Sequence, residues 1–352
     1  MASDDILFEV KGAVGRVTLN RPGALNALTL DMARRLDARL IEWASDDGVG
    51  AVVIGGAGER AFCAGGDVRA LYDSMRTPGD AYTAAFYRDE YTLNHRIFTY
   101  PKPYIALIDG VVMGGGVGVS VHGSQRVVSE HALFAMPETG IGLFPDVGGS
   151  HFLSRMPGEI GMYLGLAGAR LKAADALYAG VGSDYVPRAR LAGLVAALGE
   201  TDFAGDARAA AGDTIARFAG DAGEAPLAAE RDAIDRCFAG GSVEEIIDAL
   251  GSEGGTWAEG TRAVLATKSP TSLKVTFRQL RTGRDLDFAA AMRMEYRLSQ
   301  RFCAGHDFVE GVRAVVIDKD NAPQWEPAAL AQVSDADVDA YFAPLADGDL
   351  LL

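Results

Sequence analysis

Cysteine is scarce in this chain. Only Cys63, Cys237 and Cys303 occur, an odd count without a C-x-x-C pair or a Cys/His cluster, so neither a disulfide framework nor a structural zinc site is supported. A reducing, cytoplasmic setting is the expectation. The N-terminal residues Met1-Ala2-Ser3-Asp4-Asp5-Ile6 lack the basic and apolar blocks of a secretory signal and the Arg-rich look of a transit peptide. Long hydrophobic runs are missing too. The most apolar stretch, 105–121, is broken by Asp109 and several glycines, whereas a membrane helix needs about 20 mostly apolar residues. Positive charge is also short: Lys plus Arg number 33 against 48 Asp plus Glu, a net charge of −15. Such a field repels nucleic acid and anionic lipid surfaces, so neither is an expected partner. An anionic small molecule would need local cations or backbone amides to hold it. Finally, His95, His122, His131, His151 and His306 share no spacing with Ser or Asp partners, so no catalytic histidine is expected.

What is present is an ordinary globular composition, 49% apolar and 23% charged over 352 residues, enough for one large domain with an appendage, or for two. Residues 7–19 read as a hairpin turning at Lys11-Gly12. Residues 28–43 form an amphipathic helix with Leu28, Met32, Leu36 and Leu40 on one face, and 51–54 a short buried strand. Helical periodicity fills 69–100. Residues 104–109 read as a strand after Pro101 and Pro103, 114–122 open a helix, and 125–128 and 132–135 supply further strands. This alternation predicts a layered α/β fold. From about residue 150 no strands are expected; 191–250 and 269–316 read as helices. The chain therefore divides into a β-rich region, 1–190, and a helical one, 191–352.

Three glycine-rich segments are candidates for chemistry. In Ala61-Phe62-Cys63-Ala64-Gly65-Gly66-Asp67 a loop enters a helix, so amides near Gly66 suit an anion or oxyanion. A tight turn with Asp67 as helix N-cap explains the same residues. Met113-Gly114-Gly115-Gly116-Val117-Gly118 offers a second amide at Gly115, or simply close helix packing; it matches neither G-x-G-x-x-G nor a P-loop. In Met136-Pro137-Glu138 through Leu143-Phe144-Pro145-Asp146-Val147-Gly148-Gly149, two acids stand among apolar residues. Desolvation there would raise a carboxyl pKa and suit it to proton transfer. Taken singly, Glu138 reads rather as an acid in the first turn of a short helix after Pro137, and Asp146 as a turn residue after Pro145. Cys63, beside the first loop, reads as a small buried residue.

Together, the 61–67 loop, the Gly114-Gly115-Gly116 turn and Pro137-Glu138 followed by Pro145 and Gly148-Gly149 resemble the enoyl-CoA hydratase/isomerase (crotonase) superfamily. The resemblance implies a ClpP/crotonase spiral of repeated β-β-α turns with a helical C-terminal region. It implies an acyl-CoA thioester substrate, with coenzyme A as part of that substrate and neither a further cofactor nor a metal. The thioester oxygen would be held by the amides of Gly66 and Gly115, with Leu25, Ala27, Ala64, Asp67, Met113, Gly114 and Pro137 along the bound molecule. Hydratases of the superfamily carry a second glutamate three residues after the oxyanion glycine; Gly118 stands there in this chain. Asp146 stands where they usually have glycine. Those departures, with Glu90 in Phe86-Tyr87-Arg88-Asp89-Glu90-Tyr91 and the segments 268–274 and 294–298, resemble the branch that hydrolyses 3-hydroxyisobutyryl-CoA in valine breakdown. In it Glu138 would attack the carbonyl or deprotonate water, while Asp146 would hydrogen-bond the 3-hydroxyl or protonate the departing thiolate. Glu90 would orient the acyl group. A hydratase or isomerase using Glu138 on an enolate, and a non-catalytic acyl-CoA-binding protein, are the alternatives. Lys268, Lys274 and Arg278 are candidates for the coenzyme phosphates or, equally, a solvated basic helix face, and the superfamily implies a homo-oligomer, trimer or hexamer.

Overall fold

The computed structural model describes residues 4–346 and 348–352. Ten strands occur among them: β1 (Ile6–Lys11), β2 (Val14–Leu19), β3 (Ala51–Gly56), β4 (Ala61–Cys63), β5 (Tyr104–Ile108), β6 (Val111–Met113), β7 (Gln125–Val128), β8 (Leu133–Ala135), β9 (Leu171–Lys172) and β10 (Asp184–Tyr185). The chain separates into two compact units whose segments interleave. Of the described residues, one holds 4–66, 92–134 and 171–226; the other holds 67–91, 135–170, 227–346 and 348–352.

The first unit is built on a six-stranded sheet in the order β1-β2-β3-β5-β7-β10. Its opening hairpin pairs Ile6 with Leu19 and Lys11 with Val14. The turn needs Gly12, whose φ is +60°, because a Cβ there would lie 1.9 Å from the carbonyl oxygen of Gly199. From β2 onward the pairings are parallel, which buries both faces and explains continuous apolar runs such as Val52-Val53-Ile54. Val53, Ile105 and Val127 pack with Leu194, Leu198 and Ile215 from the helices Arg188–Gly199 and Ala207–Ala216. The helix Leu30–Ala44 buries Met32, Leu36 and Leu40 and starts at Thr29, whose side chain accepts the Met32 N–H. A second sheet, β4-β6-β8-β9, is short.

The second unit is mainly helical, with Ile160–Ala167, Val243–Glu253, Gly255–Leu265, Pro270–Gly283, Phe288–Ala304 and Asp335–Phe342 among its helices. Several expectations need correction. The helical stretch 69–100 is two helices, Val68–Met75 and Tyr82–Phe98, interrupted at Pro78-Gly79, where the left-handed Gly79 breaks the repeat. The helix expected at 114–122 is confined to Gly115–Gly118. Strands do not end at 150: β9 and β10 follow, each two residues and too short to show alternation. Strands β4 and β6 were hidden for the same reason, three residues apiece against glycine loops. Among the described residues no helix is long and apolar enough to cross a membrane.

Candidate active site

In the first unit, β4 and β6 pair in parallel, Ala61 with Val111 and Cys63 with Val112. Parallel strands deliver their following loops to the same sheet end, where α/β proteins collect ligand-binding backbone. The loop after β4 carries Gly66 and the turn after β6 carries Gly114 and Gly115. The two touch: a Cβ on Gly116 would lie 2.1 Å from the Cys63 carbonyl oxygen, and one on Gly65 would lie 3.6 Å from that of Met113. Gly114, at φ 46° and ψ −124°, makes the sharp entry to the helix Gly115–Gly118. Neither the Gly66 nor the Gly115 N–H donates to a backbone carbonyl among the described residues. Two amides without a backbone partner on adjoining loops are thus available to an anion.

The segment expected along the substrate is fixed by main-chain bonds. Leu25 and Asn26 are both left-handed, at φ 51° and 57°. Asn26 is fully buried; its Nδ2 donates to the Ala57 and Ala61 carbonyls, and its Oδ1 accepts the Arg21 N–H. Ala64 N–H donates to Leu25 O at 3.0 Å, and Leu28 N–H to Gly65 O at 2.9 Å. Leu25, Ala27 and Ala64 are thereby brought together. Cys63 is buried, its thiol 3.4 Å from Gly65 O.

In the second unit the acids cluster. Pro137 leads into a short 3-10 turn, Glu138–Ile141, closed by left-handed Gly142, whose Cβ would collide with Asp307 O at 2.1 Å. Glu138 is 4% exposed, and its Oε2 has no hydrogen-bond partner. Burial pushes its carboxyl well up, Asp146 adds to this, and Lys268 opposes it. Asp146 is buried and accepts the Tyr91 hydroxyl on Oδ2 at 2.9 Å. Burial carries it to about 7, although that hydrogen bond favours the charged form. Glu90 is buried with an unpartnered Oε1 and is raised by burial and then by Asp146. Helical spacing sets Phe86, Tyr87, Glu90 and Tyr91 as a buried face of Tyr82–Phe98, the rings of Tyr87 and Tyr91 meeting edge-on at 5.6 Å. Asp146 thus acts electrostatically on both Glu138 and Glu90.

Asp67 is the N-cap of Val68–Met75, accepting the Ala70 N–H at 3.3 Å. The cations that the sequence offers to the coenzyme phosphates each have a neighbour of opposite charge. Lys274 lies 2.7 Å from Glu244 and also donates to Val333 O, Arg278 pairs with Asp339, and Lys268 is lowered by burial and couples to Glu138. Sequence reasoning missed Tyr91 and also Glu295, which accepts the Gly148 and Ser150 N–H groups. Its signal was legible: an acid on the apolar stripe of Phe288, Ala291, Met292, Leu298 and Phe302. Among the described residues no group of three or more His, Cys, Asp or Glu is arranged to hold a metal ion.

Residues 14–342 match the model of the enoyl-CoA hydratase/isomerase family. Over its whole length the chain is 47% identical to a zebrafish (Danio rerio) protein named 3-hydroxyisobutyryl-CoA hydrolase, mitochondrial, covering 92% of it. The human protein of that name is 44% identical over 99% of the chain and 91% of its own length. A solved carnitinyl-CoA dehydratase from Mycobacterium thermoresistibile superposes with a TM-score of 0.92 at 43% identity, covering 98% of both chains. An enoyl-CoA hydratase from Rhodobacter sphaeroides gives 0.91 at 40% identity, over 99% of this chain and 100% of that one. The fold is thus the crotonase one expected. The cytoplasmic location is corrected: the relatives are named mitochondrial. Cysteine usage reports redox conditions and not the enclosing membrane.

Proposed function

Because this chain belongs to the enoyl-CoA hydratase/isomerase family, we propose that it hydrolyses the thioester of a short branched 3-hydroxyacyl-CoA, 3-hydroxyisobutyryl-CoA first among them, giving the free 3-hydroxy acid and coenzyme A. The observation that carries this reading is the buried Glu138 carboxylate with an unpartnered oxygen, coupled to Asp146, where the residue three places after Gly115 is Gly118 and not a second carboxylate. Adding water to a double bond calls for two carboxylates placed for it. Cleaving a thioester calls for one attacking group and donors for the oxygen.

Charge develops on the thioester oxygen as the carbonyl is attacked. The Gly66 and Gly115 amides supply the two donors, and losing one such donor costs about 2.7–4 kcal/mol in comparable enzymes. Ionised Glu138 either adds to the carbonyl carbon, so that the C–S bond breaks and a mixed anhydride forms for water to open, or takes a proton from the attacking water. In both routes the sulfur leaves as thiolate and needs a proton. Asp146, near 7, is partly protonated at neutral pH and supplies it. Glu90 orients the acyl group. Coenzyme A enters as part of the substrate, and the chemistry uses no other cofactor. A trimer or a dimer of trimers belongs to the same reading and is checked by sedimentation.

Two assays on one preparation test the function: free thiol released from a panel of 3-hydroxyacyl-CoA thioesters, and loss of the enoyl absorbance of crotonyl-CoA. Thiol release fastest with the branched C4 substrate is expected. Rapid hydration of crotonyl-CoA without cleavage of any thioester would replace this reading with the hydratase one.

A further inference from the structure

Asp146 stands beside an unusual piece of backbone. Val147 has φ +51° and Gly148 φ +90°, and the left-handed region is disfavoured for a β-branched residue. Such a conformation persists only where its surroundings over-determine it. Two buried side chains do so. Gln279, from Pro270–Gly283, donates its Nε2 to Pro145 O at 2.6 Å and to Ser150 Oγ at 2.9 Å. Glu295, from Phe288–Ala304, accepts the Gly148 N–H on Oε2 at 2.7 Å and the Ser150 N–H on Oε1 at 2.8 Å. The segment is therefore tied immediately before Asp146 and again two and four residues after it.

Glu295 is fully buried, and among the described residues its carboxylate forms no ion pair with Lys or Arg. An acid kept there is costly compared with an apolar residue of similar size, so stability alone is a poor reason for its presence. Geometry is a better one. Both oxygens are spent on main-chain amides in register with the left-handed turn, which leaves the Asp146 carboxylate directed to the Tyr91 hydroxyl. Removing one of those acceptors lets the turn relax toward ordinary φ and swings the side chain at 146.

We propose that Glu295 is a positioning residue for thioester cleavage, acting through the 145–150 backbone to hold Asp146 where the leaving sulfur can take its proton. The inference rests on the hydrolase reading above. The test is a double-mutant cycle on thiol release with Glu295→Gln, Asp146→Asn and the pair. Glutamine keeps one acceptor but turns an NH2 toward the second amide. It is expected to lower kcat by about 10- to 100-fold with KM changed less than about 2-fold, and to change kcat by less than about 2-fold when Asp146 is already Asn. Equal losses in both backgrounds, or no loss, would overturn the proposal. If Glu295→Gln does not give the native circular dichroism spectrum, Gln279→Met, which frees the Pro145 carbonyl of the same turn, enters the cycle with the same expectation. A wild-type chain that releases no thiol ends the hydrolase reading and this proposal together; thiol release with additive losses ends only the proposal.

Discussion

A carboxyl group moved out of water gives up hydration that only hydrogen bonds or opposite charge can replace. Glu138 and Glu90 each keep an oxygen without a hydrogen-bond partner, and Asp146 keeps one bond from Tyr91. Groups left so are available to a substrate. Replacing Glu138 by Gln removes the charge and keeps the shape, and thiol release is expected to fall by about 10²–10⁴-fold, with the melting temperature unchanged or raised. The sign of the pH dependence follows from burial. Glu138 must be ionised to work, and its carboxyl is held well above the usual range. The acid limb of kcat/KM is therefore expected well above the ordinary glutamate value of about 4.3; a limb at or below that value would contradict the account. Glu138, Asp146 and Glu90 were legible because each stands in a recognisable motif. Tyr91 was not, since an aromatic on a buried helix face is ordinarily core.

The elements bring the amides to one place by pairing two three-residue strands side by side and in parallel. Gly116→Ala would force its new Cβ against the Cys63 carbonyl oxygen. Backbone cannot swing away as a side chain can, so the loops must separate. Thiol release is expected to drop at least about 10-fold, with a lower melting temperature by about the 1–3 kcal/mol of an overpacked site. Asp67 separates capping from charge. As N-cap of Val68–Met75, its change to Ala is expected to cost about 1 kcal/mol in chemical denaturation and its change to Asn only a small fraction of that. The long elements could be read from the sequence, the helix Leu30–Ala44 nearly to its ends, because period and cap agree. The two- and three-residue strands β4, β6, β9 and β10 could not, because so short a segment carries no period and is fixed by its tertiary neighbours.

Two consequences belong to the whole molecule. Its net charge of −15 repels an anionic coenzyme thioester at long range, and salt screens that repulsion within about 10 Å at 0.1 M. Between 10 and 150 mM salt, in round figures of about that range, kcat/KM is expected to rise rather than fall. Stability against pH runs the other way from an ion-paired protein. Asp146 is raised to about 7 and Glu295 to about 8, from roughly 3.9 and 4.3 in the unfolded chain. The native state thus binds more protons between these limits, so this stabilisation is full below about pH 4 and is lost as pH rises through 7 and 8. Melting temperature is expected to fall between about pH 5 and 8.5, and less steeply in Asp146→Asn, as scanning calorimetry can show.

The most direct measurement is free-thiol release from 3-hydroxyisobutyryl-CoA by wild type and Glu138→Gln at matched, verified folding. Steady release by the wild type that the variant loses by two orders of magnitude or more, about the weight of a general acid–base or nucleophilic carboxylate, is the predicted result. Equal release by both proteins would contradict it, since the buried carboxylate would then take no part in breaking the thioester.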